Sequence, residues 1–552
     1  FHPRMQEVYR SWVRGLMTTV NPYTGLPLAD DPAVGIYEII NEDNYFFWTF
    51  TPGENIPYEC LDPLEEEFAE WAADRYGSLE EAFSAWDHPV EGDEPAAARA
   101  GLMPVWSLTS DGLAQQPGAR RRAGDQARFL TEHLRGFYRD TVDWLRNEIG
   151  VKCALVATNW TTADNELLGA LDKYTNDPCG VMDRHGYWGP PHETDRGYTL
   201  SVGDRYRNRC GLQVPEEMSV RELQYEGHAH TVSEYALPMI NRYRGDSVFL
   251  ASVYGSLQGT DGFFFFAVGT PGWQSVLDKW PVMSPAILGQ FPAAALMYRR
   301  GDVQEADAVI RQVLDLEDLF ALKGSGGADP QNVDNLRARG IPPGGTATGT
   351  RVTGIDPLAY YVGRVVRTFS GDQAEAVLTD LSPYVDRESR TIRSFTGEAR
   401  LDYGAGRATV NTPRAQGATG FLGRTEQISL DDLTIRSGSD YGSVLAVSLS
   451  EAPLEEASRV LLQVMTEETN YGWEAEPQGD MLRVVDLGGP PLNVREVAGE
   501  VILKRSDAEG LRVTALDPNG YPMEREVEVR AEEGRLHVTL EPDVIYYVIE
   551  GD

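Results

Sequence analysis

Two glutamates draw notice by their surroundings rather than their number. Glu42 follows the apolar run Val34-Gly-Ile-Tyr-Glu-Ile-Ile-Asn41, and Glu234 follows Thr231-Val-Ser233, 192 positions later (234 − 42). Each run has strand length and composition, so each carboxyl group sits where a buried strand opens into a loop. In parallel α/β architectures, reacting groups come from those strand ends. Two carboxyl groups placed on either side of a bond can divide acid/base and nucleophilic work, the arrangement that glycosidic-bond cleavage uses. Either glutamate alone is unremarkable in a chain with 85 acidic residues. The pair, each at a strand end, carries the signal.

The elements that would position them alternate in the βα manner up to about residue 300. Residues 1–20 read as a helix, with Met5, Val8, Trp12 and Leu16 at helical spacing. Val34–Asn41 reads as a strand, and residues 55–125 as an acid- and Pro-rich insertion with helical patches at Leu64–Tyr76 and Leu79–Trp86. A long helix over Ala127–Ile149 leads to the strand Cys153–Thr158. Further strands are expected at Gly180–Met182, Thr231–Ser233 and Gly262–Val268, with a helix over Pro285–Arg300. From about residue 345 short alternating segments take over, including Arg407–Asn411, Ser443–Ser448, Val460–Met465, Glu500–Leu503, Leu511–Thr514 and Val544–Val548. They predict β-sandwich structure. The division expected is a catalytic part over 1–310, a linker region over 311–345 that holds the low-complexity loop Gly324–Gly345, a sandwich over 346–480 and a second over 481–552.

The order Asn41-Glu42, then His185-Gly-Tyr187, then Glu234 on successive strands resembles the clan A retaining glycoside hydrolases, in particular the cellulase-like family 5 enzymes. The resemblance covers roughly residues 1–300. It implies a (β/α)8 TIM barrel in which Val34–Asn41 is the fourth strand, Cys153–Thr158 the fifth, Gly180–Met182 the sixth, Thr231–Ser233 the seventh and Gly262–Val268 the eighth. It further implies that Glu42 is the acid/base, Glu234 the nucleophile and Asn41 the partner of a sugar 2-hydroxyl, with His185 and Tyr187 lining the site. The first three strands have no counterpart in the sequence, so an N-terminally incomplete barrel is expected. The substrate implied is a β-linked polysaccharide or oligosaccharide. Two other readings use the same residues: a catalytically inactive carbohydrate-binding barrel, and a transglycosylase.

Sugar rings present apolar C–H faces, so aromatic side chains at strand ends are candidates for a cleft. Trp160, Trp188 and Trp273 are expected to line it, and Asn159 and Arg184 to hydrogen-bond the substrate, whereas Phe46 and Phe47 read as core. His228-Ala-His230 lacks a third ligand at motif spacing, so no metal is expected, and no Walker or dinucleotide motif suggests another cofactor. The four cysteines have no metal spacing; Cys153 reads as a buried thiol, and a Cys179–Cys210 disulfide is open if the protein is exported.

Composition narrows the partners. A net charge of −36 opposes binding to phosphate backbones, which argues against nucleic acid. No apolar run reaches the ~20 residues of a membrane helix. Mean hydropathy is −0.36, and only five lysines occur, at 152, 173, 279, 323 and 504. Both a saline environment and a GC-rich genome produce that bias. No signal peptide is visible, although the resemblance favours a secreted or periplasmic enzyme.

Overall fold

The computed structural model describes residues 2–197, 199–273, 277–326, 355–370 and 375–551. Five strands form one sheet, β1 (Ile36–Glu38), β2 (Ala154–Val156), β3 (Gly180–Tyr187), β4 (Ala229–Ala236) and β5 (Gly262–Phe265), hydrogen-bonded in that order. Every neighbouring pair is parallel. The sequential order and parallel sense are those expected from the apolar runs. Among the described residues β1 and β5 each pair on one side only, so the sheet is parallel throughout and does not close on itself. Near these edges Ile36 and Phe264 are partly exposed.

Helices cover the sheet as the 3.6-residue periodicity requires. Helix α1 (Pro3–Thr18) has a proline in its first turn, and the His2 imidazole accepts the Arg4 N–H. Its Val13 and Met17 are buried, whereas Met5, Val8, Trp12 and Leu16 form an exposed apolar stripe. The insertion folds as α2 (Tyr58–Tyr76) and α3 (Leu79–Trp86) against α4 (Arg120–Trp144), which ends in one π-helical turn over Leu145–Ile149. Arg122, fully buried in α4, pins the insertion through a two-pronged ion pair with Asp93 and a bond to the Gly101 carbonyl. Further helices of this part include α5 (Gly169–Asn176), α6 (Asp246–Gln258) and α7 (Phe291–Arg300).

The C-terminal half departs from the expected division in two ways. Ala308–Asp315, which runs across the expected boundary at 310/311 into the linker region, is a strand between Arg364–Ser370, parallel to it, and Glu375–Leu378, antiparallel. Arg364–Ser370 also pairs with Leu223–Tyr225, so this small sheet belongs with the first half of the chain. Most of the loop Gly324–Gly345 lies outside the described residues. The two sandwiches expected are one. A nine-stranded sheet takes strands from Val385–Asp386 to Tyr546–Gly551, and a five-stranded sheet pairs Leu433–Ser437 with Gly499–Lys504. Strand pairing crosses the expected boundary at 480/481 because alternation marks where a strand is, not which strand it joins.

Both faces of the large sheet's middle are covered. One face packs on the five-stranded sheet and the other on α6 and α7, so Gly442–Ser448 is buried throughout. The four cysteines are unpaired; Cys153 is half-buried, and Cys179 and Cys210 are buried. Burial pushes the Cys179 thiol up to about 12. No helix of the described residues is long and apolar enough to cross a membrane.

Candidate active site

The loop after β1 and the C-terminal ends of β3 and β4 bring Glu42, His185 and Glu234 together. The His185 Nδ1 lies 2.7 Å from Glu42 Oε1 and 3.3 Å from Glu234 Oε2. An oxygen of each carboxylate and an imidazole nitrogen all fall within 4.8 Å of one another. The Tyr187 hydroxyl donates to Glu234 Oε2. Glu42 side-chain exposure is 9% and that of Glu234 is 20%, so the pair is sheltered but reachable.

Local backbone features aim these groups. β3 and β4 fall out of register between Arg184 and His185: Arg184 faces Val232, but His185 faces Glu234, and Ser233 is left over as a bulge. A bulge re-aims the residues beside it. Here Ser233 and Glu234 both reach the site, while the flanking Val232 and Tyr235 lie in the core behind the sheet. Gly186 is required at this point, since a Cβ there would come within 2.9 Å of Val232. Glu42 itself has φ = 48°, the left-handed region that non-glycine residues rarely occupy.

Around the pair lie two more carboxyl groups that the sequence reading did not single out. Glu38, on β1, accepts a hydrogen bond from the Asn159 amide. Burial first, then the charges of Asp183, Glu234 and Glu42, push the Glu38 carboxyl up to about 8. Asp183, almost fully buried on β3, is also raised by burial, against the opposing pull of bonds from Ser233 and Thr231 and the charges of His185 and Lys173. Period-two spacing from Glu42 back through Ile40 to Glu38 was the signal available for Glu38.

Of the expected site residues, Asn41, Glu42, Asn159, His185, Tyr187 and Glu234 converge. Asn41 is exposed at the mouth. Asn159 is buried and its amide is committed to protein groups, which corrects its assignment as a substrate donor. Trp160 packs its edge against His185, with ring centroids 6.2 Å apart, but is only 5% exposed, so it backs the histidine rather than lining a cleft. Arg184 points away. Its buried guanidinium pairs with Glu222 at 2.5 Å and bonds the Ser219 and Arg221 carbonyls. Strand alternation puts it on the face opposite His185. Trp188 belongs to the core beneath the loops. Trp273 lies at the junction of α7 with the sandwich, lining a cavity of about 1010 Å³ with Phe291 and Tyr546.

Among the aromatics beyond β5, Trp280 reaches the cluster with its ring centroid 4.8 Å from that of Tyr187, and Phe266 packs beside it. Trp280 comes 15 residues after the strand (280 − 265) and carries no local sequence signal. His228 and His230 diverge, His230 toward Glu222 and His228 toward Asp177. The donor set of Glu42, His185 and Glu234 is of a kind that could also hold a divalent cation.

No protein-family model matches the chain, and no curated protein matches it. Among solved structures, a rhamnosidase from Novosphingobium sp. PP1Y is 10% identical with a TM-score of 0.24, over 88% of this chain and 43% of that one. The chain thus spans less than half the length of that rhamnosidase. A GH30 endoxylanase from Clostridium papyrosolvens C71 is 8% identical with a TM-score of 0.21, over 98% of this chain and 93% of that one. Likenesses of this size decide neither fold nor activity.

Proposed function

We propose that the protein is a retaining glycoside hydrolase acting on β-linked glycans, with Glu42 as acid/base and Glu234 as nucleophile. The observation that carries this reading is the closeness of the two carboxylates, oxygen to oxygen within 4.8 Å. Double displacement needs its carboxyl groups about 5–5.5 Å apart, whereas inversion leaves about 6.5–9.5 Å for a water. The two carboxyl groups have different partners. Tyr187 donates to Glu234, which favours its ionised form, and His185 Nδ1 lies 2.7 Å from Glu42. In the first step Glu42 gives a proton to the leaving oxygen while a Glu234 oxygen bonds to the anomeric carbon. In the second, Glu42 takes a proton from water, whose oxygen displaces Glu234 from that carbon.

A panel of β-glycans, with the anomer of the first-formed product followed by proton NMR, tests the reading. The β-anomer is expected from a β-linked substrate, and initial formation of the α-anomer overturns retention. Glu234→Gln is expected to lower kcat by at least about a thousandfold, since the variant lacks the nucleophile; equal activity of variant and parent overturns the assignment.

A further inference from the structure

We infer that Asn159 is the positioning residue of the carboxylate pair, and that Glu38 locks its side chain in the working orientation. The rate effects of this inference rest on the hydrolase reading above; the backbone effects do not. Asn159 stands at the end of β2, between the strand ends that carry Glu42, His185 and Glu234, and it touches the immediate support of all three. Its Oδ1 accepts the Glu42 N–H at 3.0 Å. Its main-chain carbonyl accepts the His185 N–H at 3.3 Å. Its Nδ2 faces the Ser233 hydroxyl, next to Glu234, at 3.4 Å, and the Asn41 Oδ1 at 3.2 Å. The third acceptor of that Nδ2 is Glu38 Oε1.

The bond to the Glu42 N–H matters because of the backbone it holds. A non-glycine residue at φ = 48° keeps that conformation only where its surroundings over-determine it. The loop after Glu42 is fastened to the segment after β2 at further places, among them Thr158 Oγ1 to the Asp43 carbonyl at 3.0 Å, Asn44 Nδ2 to the Thr161 carbonyl at 3.2 Å and the Ala163 N–H to the Phe46 carbonyl at 2.7 Å. Asn159 makes the fastening at Glu42 itself.

An asparagine suits the post on chemical grounds. One planar group has to present an acceptor to an N–H on one side and two N–H donors to oxygens on the other. Aspartate offers only acceptors and has no N–H to give to Glu38, Asn41 or Ser233. With two protons for three acceptors, the amide needs a dominant partner to fix its rotation, and Glu38 is that partner. Glu38 therefore acts through Asn159 and touches no substrate.

The test compares Asn159→Ala, Asn159→Asp, Glu38→Ala and Glu38→Gln with the parent protein. Displacement of a reacting group by about 1 Å costs on the order of a hundredfold in rate. Asn159→Ala, Asn159→Asp and Glu38→Ala are thus expected to lose about 10- to 100-fold in kcat, with KM within about twofold. Glu38→Gln keeps an oxygen for the Asn159 amide and is expected to stay within about threefold of the parent. The double variant Glu38→Ala/Asn159→Ala is expected to be no worse than Asn159→Ala alone, because the two residues act as one unit. Hydrogen–deuterium exchange provides the readout that needs no turnover: the peptide containing Glu42 should exchange faster in Asn159→Ala and Glu38→Ala, but not in Glu38→Gln.

A rise in KM at constant kcat would instead make Asn159 a substrate contact and overturn the inference. Additive losses, or an unchanged Glu42 amide, would do the same. Should Asn159→Ala fail to fold, the two Glu38 variants decide the matter. A parent protein that cleaves no glycoside removes the hydrolase reading alone, and the exchange measurements still judge the positioning.

Discussion

Four carboxyl groups crowd one end of a short parallel sheet, and their different surroundings separate their tasks. Tyr187 is the neutral group that donates directly to Glu234. A hydrogen bond to a charged group contributes about 1.5–3 kcal/mol, so Tyr187→Phe is expected to lower kcat by about 10- to 100-fold, measured on whichever glycan the panel identifies. A change in KM alone would remove Tyr187 from the nucleophile's support. Glu38 gives a pH-dependent signature. Its carboxyl is raised from an ordinary value of 4.5 to about 8, chiefly by burial, so the folded state holds a proton that the unfolded chain releases. Its stabilising share is complete below about pH 4.5 and declines as pH rises toward 8. Glu38→Gln carries no such proton, so the difference in Tm between variant and parent is expected to grow in the variant's favour from pH 5 to pH 8. Parallel Tm curves would contradict the raised Glu38. At this scale the sequence was a good guide where chemistry and strand ends coincided, as for Glu42, His185, Tyr187 and Glu234. It misplaced Arg184 because the next residue along a strand faces the other way, and it missed Trp280 because a long loop returns that ring to the cluster.

Between elements, the decisive features are a bulge and a set of side chains that cap main-chain groups across the two halves. The five apolar runs announced five parallel strands in order, but the left-over Ser233 has no mark in the sequence, since a bulge changes facing without changing composition. The junction is equally silent. Glu468, in the sandwich, is 1% exposed; it accepts from the Ser284 hydroxyl at 2.7 Å and the Ala286 N–H at 2.8 Å, and it lies 3.4 Å from the buried Arg244 guanidinium. Arg244 in turn donates to the Pro281 carbonyl and Ser284. Removing one partner leaves the other charge buried and uncompensated, which typically costs about 3–5 kcal/mol. Glu468→Ala is therefore expected to lower stability by that order in chemical denaturation, with the loss concentrated where Arg244 meets Pro281, Ser284 and Ala286. A change under about 0.5 kcal/mol would mean that the junction relaxes to admit water. In a linear reading Glu468 is one acid among 85, and only its neighbours in space give it this role.

Across the whole molecule, the sandwich is part of the body that carries the site. One hydrophobic cluster runs without a break from β4 and β5 through α6 and α7 into the nine-stranded sheet. A sandwich hairpin, Glu474–Gln478 with Met481–Asp486, extends a sheet onto Arg205–Tyr206 and His192–Glu193, in the loop that follows β3. Tyr206, Leu200 and Ile240 from that loop and the loop after β4 close over Val484. Gln463 donates to the Gln290 carbonyl and accepts the Ala293 N–H at the start of α7, and Tyr546 donates to the Gly289 carbonyl. A tethered accessory module would leave few contacts across its boundary and would unfold by itself. Here the loops that follow the strands of His185 and Glu234 rest partly on residues from the C-terminal half, and separating the halves would uncover a sheet face made of Ala408, Val410, Leu445 and Val447. Scanning calorimetry of the described chain is thus expected to show one cooperative transition spanning both halves, and a chain ending near residue 320 is expected to aggregate rather than survive as a catalytic fragment. Two well-separated transitions, or a soluble and folded fragment over residues 1–320, would show the sandwich to be a passenger. The contact at Arg205–Tyr206 supplies the finer test. Proline at Leu482, whose strand pairs with Tyr206, removes a backbone donor from that edge and should loosen the loop after β3, which would appear as faster amide exchange over residues 192–206 while the sandwich interior stays protected.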